Sequence, residues 1–131
     1  MAGKSVAETM GSQLVPVFGG LVARARLHSG LPARLLAGCL GADAFVLGRR
    51  VFLSPRAADA LERRSGEALA LLAHELTHVA QYRRLGFLPF LTRYLREYLR
   101  LRWAGRDHGR AYREISFERE AMAAERALRG S

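Results

Sequence analysis

Residues 71–81 read LLAHELTHVAQ. His74 and His78 stand four positions apart, and Glu75 directly follows the first of them. From Glu67 onward, Leu69, Leu72, Leu76 and Ala80 recur at helical spacing, so the segment is predicted to be an amphipathic helix. On a helix, positions i and i+4 lie one above the other about 6 Å apart, and two imidazoles there can reach a single ion. Glu75 borders the same face. The apolar stripe lies on the other side, which directs the histidines toward whatever the rest of the chain builds.

This spacing is the one zinc chemistry needs. A catalytic zinc ion takes three protein ligands and keeps one position open for water, whose pKa it lowers. Glu75 is placed to accept a proton from such a water. The plainer alternative is two surface histidines beside an acid. The flanking LLA and VA make the helix central rather than peripheral, which favours the metal reading. His28 and His108 are the only other histidines, and His108 lies in the Gly-flanked stretch AGRDHG (104–109). The last helix offers a better third ligand in FEREAMAAE (117–125). Glu118 shares a face with Ala121, Met122 and Glu125, and Glu120 shares one with Phe117, Ala123 and Ala124. The residues alone leave Glu118 and Glu120 open as alternatives.

Composition narrows the rest. The 131 residues suit one domain able to bury its own core. Cys39 is the only cysteine, which excludes an intrachain disulfide and Cys-x-x-Cys metal sites. It reads as a small buried hydrophobe. The formal charge is +9, with Lys4 the only lysine among 21 basic residues. Such an excess suits anionic partners, although near-total use of Arg also fits a bias of the whole genome. No apolar run approaches the roughly 20 residues of a membrane-spanning helix. LVPVFGGLVA (14–23) is read as part of the fold rather than as a cleavable signal peptide.

Along the chain, residues 5–18 are predicted helical up to Gly19-Gly20, and RARLH (24–28) is a strand with one wet face. PARLLAGCLG (32–41) reads as a helix. AFVLG (44–48) and VFLS (51–54) flank Gly48-Arg49-Arg50 as a hairpin. Helices follow from Pro55 to about 64, from 67 to 85, from Phe87 to Trp103 and from about Ile115 to Leu128. In the Phe87–Trp103 helix, Leu88, Leu91, Leu95, Tyr98 and Leu99 form the expected core stripe. The fold class is α+β: a small antiparallel sheet, strand plus hairpin, with helices packed on it.

The string LHSG-LPARLLAGCLGADAFVLGRRVFLSP, followed by LLAHELTHVAQ, resembles the extracellular contractile injection system core domain. That widespread bacterial domain is regarded as a metallopeptidase. The shared features are Leu27-His28-Ser29-Gly30, Leu40-Gly41-Ala42, Ala44-Phe45 and the zinc motif through Gln81. They cover about residues 14–82, and residues 83–131 form a helical continuation. That continuation resembles small zinc peptidases of the gluzincin type, whose third ligand lies in a Glu-x-x-Ala helix. In this frame Glu118-Arg119-Glu120-Ala121 selects Glu118. The Asp or Asn usual after the Ala is Met122 here, so its support of the site is expected to be absent from that position. Tyr82 likewise replaces the second Gln usual after the zinc motif.

The resemblance implies a zincin-like minimal metallopeptidase with Zn2+ as cofactor and a peptide or protein as substrate. Injection-system components are the implied partners, with synthesis in the bacterial cytoplasm and export without a cleavable signal. Such peptidases commonly hold substrate as an extra strand on a sheet edge, which puts strand 44–48 or 51–54 in that role. The competing reading is a non-catalytic, zinc-stabilised module that docks with, or marks cargo for, such an apparatus. Tyr112 and His108 are candidates for stabilising an oxyanion, and Gln81 for supporting the site. The stretch 83–113 carries nine Arg against Glu97 and Asp107. It suits a nucleic-acid or anionic-membrane face, or more plainly a solvated one.

Overall fold

The computed structural model describes residues 4–5, 7–28, 44–63 and 65–129. The predicted helix at 32–41, the Leu40-Gly41-Ala42 turn and Cys39 lie outside them. The elements are β1 (Lys4–Ser5), α1 (Ala7–Phe18), α2 (Leu21–Arg24), β2 (Arg26–His28), β3 (Ala44–Leu47) and β4 (Arg50–Leu53). After these come α3 (Pro55–Glu62), α4 (Gly66–Leu85), α5 (Phe87–Trp103), α6 (His108–Glu114) and α7 (Ser116–Arg129). The class is α+β, as the sequence suggests.

The sheet is mixed rather than antiparallel. Its order is β1-β2-β4-β3. β3 and β4 form the expected hairpin, Phe45 opposite Phe52, but β2 runs parallel to β4 with Leu27 opposite Val51. The alternation of wet and dry side chains that marks a strand is the same for either direction, so it could not reveal this. A parallel pair needs a long crossover, and the chain between His28 and Arg50 supplies one. The strand beginning at residue 24 is also shorter than expected. Gly19, at φ 57, turns the chain out of α1, and residues 21–24 make one more helical turn before Arg26.

Helix ends follow local chemistry. Ser54 caps α3 by accepting from the Ala57 amide at 3.2 Å, with Pro55 at the first helical position, and Ser65 caps α4 through the Ala68 amide at 3.1 Å. Gly86, at φ 93, ends α4 where a residue with a Cβ would be strained. Asp107 caps α6 through the Arg110 amide at 2.9 Å. No helix is expected from the sequence between Trp103 and Ile115, yet α6 forms there, and His108 opens it.

α4 is central. It packs against α7, β3, α3, α5 and α1. Its histidine face is therefore not an open surface: Leu72, Ala73, Leu76 and Val79 are buried, and so are His74, Glu75, His78 and Gln81. α7 covers that face, with Phe117, Glu118 and Ala121 buried against it. Among the described residues no helix is long and apolar enough to cross a membrane.

Candidate metal centre

The helical spacing of α4 places His74 and His78 with their rings 5.1 Å apart, and both Nε2 atoms point at α7. They meet one atom there. Glu118 Oε1 lies 2.9 Å from His74 Nε2 and 3.1 Å from His78 Nε2. One donor atom from each of the three residues falls within 4.8 Å of the others, a buried group able to hold a metal ion. Two imidazole nitrogens and a carboxylate oxygen form a donor set that zinc accepts.

The remaining nitrogens are also held, as metal-binding histidines usually require. His78 Nδ1 donates to Gln81 Oε1 at 2.9 Å. The carboxamide is fixed in that orientation because its Nε2 donates to the Phe117 carbonyl at 3.0 Å and to Glu120 Oε1 at 2.8 Å. Nδ1 therefore keeps its proton in either charge state, and Nε2 is the nitrogen that donates to Glu118 or, once deprotonated, could take a metal ion. His74 Nδ1 meets Glu125 Oε1 at 3.2 Å, and Arg129 pairs with the same carboxylate at 3.3 Å. Tyr94 donates to the other oxygen of Glu118 at 2.5 Å, so both carboxylate oxygens are engaged.

Burial would raise the Glu118 pKa. The hydrogen bonds from His74 and His78, aided by Tyr94, overcome this and hold the carboxyl well below the usual carboxylate range. Burial likewise works against charge on His78, but Glu118 and Glu75 outweigh it and push the imidazole up to about 9. The His74 pKa is raised in the same way, against burial, by Glu118 and Glu75. Glu75 differs from Glu118: burial dominates there and pushes its pKa up despite the two nearby imidazoles. A buried carboxylate with a raised pKa is the better proton acceptor.

The structure thus brings together His74, Glu75, His78, Gln81 and Glu118. Glu120 stays outside, reached by Gln81 and by Arg84 at 3.9 Å. Tyr112 keeps 38 % of its surface exposed, yet burial of the phenol first, then the charges of Glu118 and Glu75, raise its pKa. His108 does not face it, and bonds the Tyr98 hydroxyl at 2.9 Å on the surface. His28 is buried, stacked on Phe52 with Arg50 3.4 Å from its Nε2. Two residues were missed by the sequence reading. Tyr94 stands outside the stripe expected for its helix, and nothing local marks it as the partner of a ligand. Glu125 shares the face of Glu118 and supplies the carboxylate whose loss Met122 suggested.

Gln81→Ala removes the group that holds His78 in one tautomer. The expected result is zinc affinity about 10- to 100-fold weaker with the fold intact, read by competition against a chromophoric chelator. Unchanged affinity would show that the carboxamide serves only to pack the helices.

A helix carrying His-Glu-x-x-His, closed by a glutamate from a later helix and set against a small sheet, defines a compact α+β domain with a metal-capable centre. Residues 5–86 match the model of the eCIS core domain, and the chain belongs to that family. No curated protein and no solved structure matches it significantly.

Proposed function

We propose that this chain is a zinc-dependent metallopeptidase. The observation that carries the reading is the convergence of two imidazole Nε2 atoms on one buried glutamate oxygen, with a second buried glutamate beside them on α4. His74, His78 and Glu118 would hold the ion, and zinc when bound lowers the pKa of a coordinated water and polarises a carbonyl. Glu75 takes the proton from the attacking water and later returns it to the leaving amine. Tyr112, with its proton held firmly by a raised pKa, donates toward the oxygen that gains charge. Gln81, Glu125 and Tyr94 keep the three ligands in place.

The sheet order narrows where a peptide would lie. β4 sits between β2 and β3, so of the two hairpin strands only β3 has an open side among the described residues. An extended substrate would pair there. That side is partly engaged already, since the Tyr82 hydroxyl donates to the Val46 carbonyl at 3.0 Å.

One observation favours a second reading. All four central groups are buried, with Glu118 only 3 % exposed, which also suits a zinc-stabilised, non-catalytic module of a contractile injection system. The test is zinc content and peptide hydrolysis, measured together on protein purified without added metal or chelator. The expected result is one zinc per chain, lost in His74→Ala and His78→Ala, with hydrolysis lost on chelation and restored by zinc. A wild-type chain no richer in zinc than the two variants would end the proposal. Stoichiometric zinc without hydrolysis of any peptide in a diverse library would leave the structural module.

A further inference from the structure

The α5 helix has two apolar faces, and the domain uses one of them. Phe90 is buried, and Leu91, Tyr94, Tyr98 and Leu101 pack against the core. The stripe expected there from the sequence was largely the wrong one. Leu88, Leu95, Leu99 and Trp103 are 70, 55, 63 and 95 % exposed. They recur at helical spacing and so line up along the outer side of the helix. Arg93, Arg96 and Arg100 flank this stripe on one side and Arg102 on the other, all exposed. None of the four makes an ion pair with a described residue.

We propose that α5 is a peripheral membrane-docking helix that lies flat on an anionic phospholipid surface. Leu88, Leu95, Leu99 and Trp103 enter the boundary between headgroups and acyl chains, and the flanking arginines meet lipid phosphates. Helices that rest on bilayers have this composition: Leu and Trp on one side, with cations at the edges of that side. Arginine suits the position because its apolar stem follows the hydrocarbon while its guanidinium forks onto phosphate. Trp103 suits it because an indole ring combines a large apolar body with an N–H donor.

Charge decides against other occupants. A second copy of the chain would bring two arginine rows and two +9 domains together. A nucleic acid would neutralise the arginines but leave four large apolar side chains in water. An anionic bilayer satisfies both sets at once.

Trp103 is the only tryptophan, so its fluorescence reports this surface alone. The full chain is mixed with vesicles of phosphatidylcholine, or of equal parts phosphatidylcholine and phosphatidylglycerol. The expected result is a blue shift of Trp103 emission and co-sedimentation with the anionic vesicles only, weakening as salt is raised. The double variant Leu95→Asp/Leu99→Asp and the double variant Arg96→Glu/Arg100→Glu should each lower partitioning at least about tenfold. All four positions are exposed, and circular dichroism checks that both variants stay folded. Unshifted Trp103 emission with anionic vesicles would overturn the proposal. So would wild-type partitioning by Leu95→Asp/Leu99→Asp, which would mean mere electrostatic adsorption. Tight binding of a single-stranded oligonucleotide at concentrations where vesicles are ignored would replace the bilayer with nucleic acid.

Discussion

Glu75→Gln is expected to keep the bound zinc and the fold while lowering peptide hydrolysis by about 100- to 10,000-fold, the range general base catalysis commands. The carboxamide has the same shape, but no basic oxygen to take a proton. Stability should change little, because Glu75 accepts no hydrogen bond from a described residue that a carboxamide would break, and its burial opposes the charged form. The informative outcome is therefore a difference between activity and melting temperature. Activity near the wild-type level in Glu75→Gln would mean that the water is deprotonated by another group, and the proposed mechanism would fail.

Glu118→Ala and Glu120→Ala are expected to separate by at least about a hundredfold in zinc affinity. Losing a partner of a ligand already costs about 10- to 100-fold, and losing the ligand costs more. Glu118 Oε1 touches both histidines, whereas Glu120 reaches the amide of Gln81 and the guanidinium of Arg84 instead. Glu120→Ala should therefore change affinity only slightly, through a looser carboxamide. Titration of each variant with zinc against a competing chelator measures both. Equal losses would mean that Glu120 moves into the site when the ion binds. Glu118→Ala should also destabilise the metal-free chain, since it strands two buried imidazoles whose charged forms Glu118 supports.

Much of the site was legible because its information is local. His74 and His78 lie four residues apart on a helix whose apolar neighbours announce it, and no tertiary knowledge is needed to bring their rings together. Glu118 was not legible in that way. Periodicity left it level with Glu120, and only the family frame chose between them, because the contact spans 44 residues of sequence. The Glu125 contact lies two helical turns beyond Glu118, past the position where support was expected. In the fold, alternation revealed the strands but not their direction, so β2 beside β4 was assigned to the wrong kind of sheet. The α5 stripe was misassigned for a similar reason. Leu88, Leu95 and Leu99 make the same pattern whether they face protein or solvent, and only the position of Phe90 and Tyr94 shows which side the core took.

The family match ends at residue 86, and Glu118 lies beyond it. A cation shared by α4 and α7 would thus act as a clasp on the loop formed by α5 and α6. In the unfolded chain its jaws are far apart, so the free energy of closing it would be folding free energy for the C-terminal third. The order of that third would then become a function of ion supply. It would firm by about 1.4 kcal/mol for every tenfold of free zinc above the dissociation constant. Under zinc starvation this third would be the part to loosen first, because the pairing of β2, β3 and β4 uses none of the three ligands.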